Sequence, residues 1–232
     1  MWLIKLIMHI KDLHMNDSVS KTQYLQTILE LSAGDDQVKI SNNQIAEHLH
    51  VTPSSVSNML AKLQDAGEVD VVPYYGVTLT AAGRLTAIRL IRSHRLFETF
   101  MANKLHLPLS VAHENADRLD HDADPQLMQA LDAFLDYPKY SPHGLLIPDA
   151  NNQYHPAALA RLSDAKDGEE VRIYGFTEDL ELLQYAETID LPLNSVWTVV
   201  KRLPFDGPLI LERQGTELQI TQHAAHYIYI NA

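Results

Sequence analysis

The sequence predicts a mainly α chain that ends in a β C-terminal domain, and three observations carry that expectation. Apolar residues recur at helical spacing, with capping signals, over most of the stretch from Ser20 to Leu135. A hairpin signal, Tyr74-Tyr75-Gly76 between two valine-containing runs, interrupts this texture once. From Asp164 onward the pattern changes to strand-length apolar runs separated by Gly, Pro and Asn turns.

Taken in order, Tyr24, Leu25, Ile28, Leu29 and Leu31 line one side of a helix from Ser20 to Ser32, which Gly34, Asp35 and Asp36 stop. Ser41 caps a short helix holding Ile45, Ala46 and Leu49. After the turn His50-Val51-Thr52, a third helix opens with Thr52 as N-cap and Pro53 at its first position, and runs through Val56, Met59, Leu60 and Leu63 to Ala66-Gly67. The result is helix, turn, helix. Val69 to Pro73 and Val77 to Thr80 then read as the two strands of a wing, with Gly76 at the tight turn.

Thr80 caps a long helix to about Lys104, with Leu85, Ile88, Ile91, Phe97 and Met101 on its apolar side. Leu107-Pro108-Leu109-Ser110 breaks the chain, and Ser110 is expected to cap a helix carrying His113 to His121. Asp124-Pro125 opens another helix, whose Leu127, Leu131, Phe134 and Leu135 are spaced for burial. That stripe exceeds the needs of one small bundle, so part of it is expected against a second subunit. Turn formers from Tyr137 to Gly144 and from Pro148 to Pro156 mark a boundary. Beyond it, Glu170 to Tyr174, Ser195 to Leu203, Leu209 to Arg213, Thr216 to Thr221 and His226 to Ile230 read as strands. With one helix from Asp179 to Ala186 they make a small β-barrel.

Composition narrows the chemistry. The 232 residues are 46% hydrophobic and include no cysteine, which excludes disulfides, thiolate zinc sites and cysteine nucleophiles. A metal site must therefore use oxygen and imidazole ligands. The net charge of −12 argues against sequence-blind nucleic-acid binding, which depends on Lys and Arg replacing phosphate counterions. Between Asn16 and Arg84 there are four cationic side chains against eight acidic ones, so a DNA-binding head here needs help from a dication or a second copy. The apolar run Met1 to Ile10 falls short of the roughly 20 residues that span a bilayer and lacks a signal-peptide cleavage site. No membrane association and a cytoplasmic location are expected, with Met15 as a plausible start.

Two segments bear metal-ligand residues, His94-x-x-x-Glu98 and His113-x-x-x-Asp117-x-x-Asp120-His121. On a helix, His113, Asp117, Asp120 and His121 fall at roughly 0°, 40°, 340° and 80°, within about 100° of one face. Histidines and carboxylates converging from two helices can hold a divalent cation. The same spacing also fits a solvated acidic stripe with incidental histidines. In the helix-turn-helix, the first turns of the second helix reach base edges or phosphates. They offer Thr52, Ser54, Ser55, Ser57 and Asn58, of which Asn58 can pair bidentately with adenine. Lys62, Arg84 and a wing tyrosine, Tyr74 or Tyr75, are the expected phosphate contacts.

The order of these parts, and the motifs Thr52-Pro53-Ser54-Ser55-Val56-Ser57, Gly76-Val77-Thr78-Leu79-Thr80-Ala81-Ala82-Gly83, Ser93-His94-Arg95-Leu96-Phe97-Glu98, His113 to His121 and Ser141-Pro142-His143-Gly144-Leu145-Leu146-Ile147-Pro148, are similar to those of one family. From about Asp17 to Ala232 the chain resembles the diphtheria toxin repressor family of metal-dependent repressors, most like its manganese transport regulator branch. The resemblance implies an N-terminal extension over 1–15, a winged helix-turn-helix DNA-binding domain over 16–84 and a helical dimerisation and metal-binding domain over 85–150. A linker over 151–163 and a small Src-homology-3-like, FeoA-like β-barrel over 164–232 follow. It implies a primary metal site of Asp117, Asp120 and His121, joined by Gln23 of the first helix with His94 close by. It also implies an ancillary site of His94, Glu98 and His113, completed by Glu178, Asp179 or Glu181. Manganese-responsive members carry a carboxylate at the position of Asp117, where iron-responsive members carry cysteine.

The function expected is a repressor of metal-uptake genes that binds double-stranded palindromic operator DNA as a homodimer. Mn²⁺ is the expected corepressor, with Fe²⁺ as the alternative and Zn²⁺ able to bind in vitro. The clasp between Gln23 and the Asp117, Asp120 and His121 group would set two recognition helices about 34 Å apart. Two competing readings are a winged-helix regulator of a small organic ligand and a metallohydrolase. The second lacks an evident substrate-activating group or oxyanion donor.

Overall fold

A computed structural model describes residues 21–121, 123–157 and 159–231. The chain divides into two compact units. Of the described residues, one unit takes 21–94, 117–121, 123–130 and 148–156, and the other takes 95–116, 131–147, 157 and 159–231.

In the first unit, helix α1, described over 21–31, buries Tyr24, Leu25, Ile28 and Leu29. Burial holds the Tyr24 hydroxyl above the usual tyrosine pKa. The helix ends where Gly34 takes φ +73° and returns its N–H to the Leu29 carbonyl. Ser41 and Gln44 form a reciprocal capping box on α2 (Asn42–His48). Thr52 accepts from the Ser55 N–H and, with Pro53, starts α3 (Pro53–Asp65), which buries Val56, Met59, Leu60 and Leu63. Strands β1 (Val69–Val72) and β2 (Gly76–Leu79) form the antiparallel wing. A Cβ at Gly76, where φ is +117°, would lie 2.6 Å from the Ile40 carbonyl oxygen, so the close Ile40–Val77 bridge requires glycine.

Helix α4 (Ala81–Leu105) supplies residues to both units, as does α5 (Leu109–Leu119). Arg84, expected on phosphate, is instead spent inside the first unit. Its guanidinium donates to the Gly34 carbonyl and to Asp36, both at 2.8 Å, and to the Tyr154 carbonyl. Tyr154 is itself buried, so the turn-rich stretch Pro148–Pro156 is tied down rather than free. Asp124, not a residue of the helix proper, caps α6 (Pro125–Phe134) by accepting from the N–H groups of Gln126 and Leu127. The α6 stripe differs from its expected burial. Met128 and Asp132 are buried, whereas Leu127 and Phe134 are 52% and 62% exposed within one chain.

The second unit holds a six-stranded antiparallel sheet in the order β3-β8-β4-β5-β6-β7. Its strands are β3 (Ala160–Arg161), β4 (Glu170–Phe176), β5 (Val196–Arg202), β6 (Leu209–Arg213), β7 (Thr216–Ile220) and β8 (Ile228–Asn231). Register shifts in β4 at Ile173/Gly175 and in β5 at Val199/Lys201 bend it around a core of Leu162, Val171, Ile173, Trp197, Leu209 and Leu211. Helix α7 (Leu180–Thr188) packs Leu182, Leu183 and Ala186 into this core. The two-residue β3 and the short α8 (Gln222–Ala225) are additions that sequence periodicity did not reveal, being shorter than a readable pattern.

Ser110 was expected to cap α5, but that helix already begins at Leu109. The Ser110 N–H and hydroxyl both donate to Glu187, at 2.9 and 2.8 Å. The helix also ends at Leu119, so Asp120 and His121 stand beyond it and off the helical face assigned to them.

Candidate metal centre

Among the described residues, His and carboxylate side chains cluster in each unit. In the first, α4 presents buried His94 and the end of α5 presents Asp117; the turn after Leu119 brings in Asp120 and His121. His94 Nδ1 lies 3.2 Å from Asp120 Oδ2 and 3.3 Å from Asp117 Oδ1. His121 Nδ1 lies 2.6 Å from Asp120 Oδ1. Both atoms of that last pair are buried, yet neither has hydrogen-bonding geometry to any partner among the described residues. A buried carboxylate oxygen and a buried imidazole nitrogen that face each other without a hydrogen bond are costly unless a positive charge serves both. Two carboxylates, two imidazoles and an orphaned donor pair fit a divalent cation, and oxygen with imidazole nitrogen suits Mn²⁺, Fe²⁺ or Zn²⁺. Gln23 is exposed on α1.

The second cluster centres on Glu98, which is fully buried on α4. Its Oε1 pairs with His113 Nδ1 at 2.8 Å and its Oε2 with His143 Nε2 at 2.7 Å. His143 Nε2 is also 3.6 Å from Glu178 Oε1. That carboxylate accepts from Arg95 Nε at 2.6 Å, while Arg95 Nη1 donates to the Leu146 carbonyl. His143 Nδ1 sits 3.2 Å from the Phe176 carbonyl oxygen, which can only accept, so Nδ1 is the donor there. In a neutral ring the Nε2 lone pair would then face the Glu98 carboxylate, an arrangement that a second proton or a cation relieves. The loop bearing His143 is held closely. Its carbonyl accepts the Phe176 N–H, and a Cβ on Gly144, at φ +90°, would fall 2.2 Å from the Tyr174 carbonyl oxygen.

Of the three acidic candidates on the terminal domain, the structure brings Glu178 into this cluster. Asp179 caps α7 by accepting from the Leu182 N–H at 2.8 Å, and Glu181 is exposed. His143 and Arg95 carry no ligand spacing that sequence periodicity can reveal. The signal available for His143 was a histidine inside a Pro-Gly turn.

On the reading helix, Thr52 is occupied with capping, and the hydroxyls of Ser54 and Ser55 lie within 2.8 and 2.9 Å of its Oγ1. Ser57 donates to the Pro53 carbonyl and accepts from Asn42. Asn58 and Lys62 are on the exposed face of the helix. At the wing tip Tyr74 is fully exposed at φ +69°, and Lys39 Nζ lies 5.4 Å from the centre of the Tyr75 ring.

Family models match nearly the whole chain in three successive parts. Residues 18–77 match the iron dependent repressor N-terminal DNA binding domain, 80–149 the iron dependent repressor metal binding and dimerisation domain, and 160–232 the FeoA domain. The chain is 28% identical over 226 residues to the diphtheria toxin repressor of Corynebacterium diphtheriae, covering 93% of this chain and 99% of that protein. It is similar to the structure of the manganese regulator SloR, with 33% identity and a TM-score of 0.77 over 91% of this chain and 97% of that one. A manganese-dependent transcriptional repressor in complex with manganese matches at 31% identity and a TM-score of 0.76, over 90% of this chain and 98% of that one.

Proposed function

The chain belongs to the diphtheria toxin repressor family of metal-dependent, DNA-binding repressors, and on that premise we propose that Mn²⁺ is its corepressor and metal-uptake genes its targets. The observation that carries the reading of a hard or borderline dication is the donor set of the first cluster. Asp117 and Asp120 supply hard oxygens and His94 and His121 supply imidazole nitrogens, in a chain with no cysteine to favour a softer ion. The similarity to two manganese regulators supports the same reading.

His94, Asp117, Asp120 and His121 form the proposed first site; Glu98, His113, His143 and Glu178 form a second. Gln23, exposed on α1, is proposed as a further oxygen ligand of the first site. A dication at either site supplies positive charge that the clustered carboxylates share. The protein's part is positional: Asp120 is hydrogen-bonded to His94 through Oδ2 and faces His121 with Oδ1, whereas Glu98 in the second unit binds an imidazole with each oxygen. The exposed stripe of Leu127 and Phe134 is proposed to be covered in a homodimer. Two reading helices would then meet successive major grooves of a palindromic operator, about 34 Å apart. Asn58 is proposed to read adenine, and Lys62 to touch phosphate. Among the described residues no helix is long and apolar enough to cross a membrane, in keeping with a proposed cytoplasmic site of action.

Operator affinity measured by gel shift while Mn²⁺, Fe²⁺ or Zn²⁺ is titrated tests this. Affinity should rise with Mn²⁺ in the natural protein and stay flat when Asp117 and Asp120 are both replaced by Ala. A rise of equal size in the double variant overturns the assignment of the first site.

A further inference from the structure

Helix α5 has no cap of its own. Pro108 precedes it without a side-chain acceptor, and the N–H groups of its first turn have no intrahelical partner. The acceptor comes from the terminal domain, 77 residues away in sequence: Glu187, on the last turn of α7, takes the Ser110 N–H on Oε1 at 2.9 Å and the Ser110 hydroxyl on Oε2 at 2.8 Å. A carboxylate at the positive end of a helix is also favoured electrostatically. Beyond the tie, Ala112 and Ala116 anchor the middle of the helix in a buried cluster with Met101. Leu109 rests on the terminal-domain core, and Leu109, Leu183, Ala186, Glu187 and Leu193 line a cleft of about 320 Å³ beside it, so at this end of the helix the two hydrogen bonds add a directional tie to the apolar contact. His113 follows Ser110 by three residues, about 4.5 Å along the helix axis. Its Nδ1 is on Glu98.

We propose that Glu187 is a positioning residue for the second metal site: by holding the first turn of α5 it sets His113 against Glu98, while Glu178 on the same domain completes the cluster. The terminal domain thereby acts at both ends, through one carboxylate in the cluster and one behind it. This rests on the reading of Glu98, His113, His143 and Glu178 as a cation site. Residues that orient a ligand without touching the metal change its affinity by about 10–100-fold.

The test titrates Mn²⁺ into the full-length metal-free protein by calorimetry, and records thermal melts without metal, for Glu187→Ala, Glu187→Gln and His143→Ala. Glu187→Ala should weaken the second site about tenfold or more. Glu187→Gln, which keeps an acceptor for the Ser110 N–H, should recover most of that loss. His143→Ala removes a proposed ligand and should abolish the second site. If His143→Ala leaves two-site binding intact, the metal reading of the cluster fails. If His143→Ala abolishes the site but Glu187→Ala leaves its affinity unchanged, whatever happens to the metal-free melt, the positioning role fails and Glu187 is a structural cap only.

Discussion

The two clusters use the same donors, histidine and carboxylate, but satisfy them differently. In the first, Asp120 Oδ1 and His121 Nδ1 are buried and face each other without a hydrogen bond, and the Asp117 and His121 side chains keep 36% and 22% of their exposure. In the second, Glu98 and His143 are fully buried and each carboxylate oxygen of Glu98 has its own imidazole. An open cluster with orphaned donors gains most from an ion and exchanges it most readily. A closed cluster already behaves as structure, and an ion entering it must compete with hydrogen bonds in place.

Four measurements break or sharpen that contrast. The largest effect is expected in the closed cluster without any metal. Glu98→Ala strands His113 and His143 in the interior and should cost about 3–5 kcal/mol in urea unfolding. Asp120→Ala, which loses only the His94 bond, should cost about 1 kcal/mol. Equal losses would mean that both clusters are structural.

Next comes the response to ion. With Mn²⁺ at a hundred times its dissociation constant, the open site should add about 2.7 kcal/mol of stability. Replacing Asp117 and Asp120 by Ala should remove that increment from the melt. An unchanged increment would place the bound ion in the closed cluster.

Third, Asn58→Ala should cost about 1–3 kcal/mol of operator affinity and relax preference at one base, while Lys62→Ala should weaken all sequences alike and lower the salt slope by about 1. Neither should alter Mn²⁺ affinity measured on the free protein. A change there would mean that the reading helix is not separable from the open site.

The smallest effect is expected at alkaline pH. Burial and the neighbouring Tyr140 hydroxyl push the Tyr174 pKa up to about 12, so the neutral phenol is favoured in the folded state. Its stabilising contribution is complete below pH 10 and is lost as pH rises toward 12, because the unfolded chain gives up this proton first. Tyr174→Phe should flatten stability between those limits; an identical alkaline slope would assign the loss to other groups, Tyr24 in the first unit among them.

Much of the molecule was readable before its structure. Ser41 with Gln44 and Thr52 with Pro53 cap their helices as expected, and the wing strands fall within a residue of the expected limits at each end. These features rest on contacts among residues a few positions apart. The errors share the opposite property. Ser110 looked like a cap because serine before a helical pattern usually is one, yet it donates to a carboxylate far along the chain. Arg84 looked free for phosphate, and is held by three acceptors from two distant segments. Helical angles placed Asp120 and His121 on a face that ends at Leu119, although the turn beyond it still delivers them to His94 and to each other.

By itself the sequence determined the elements, the absence of thiol ligands and the kind of donor any metal must find, because capping, periodicity and composition are local or additive. Tertiary structure decided which donors share a site. Glu98 meets His143 across 45 residues and Arg95 meets Glu178 across 83, and no periodic pattern extends over such distances. Only the close packing of the chain on itself determines which polar atoms are left facing one another without a hydrogen bond.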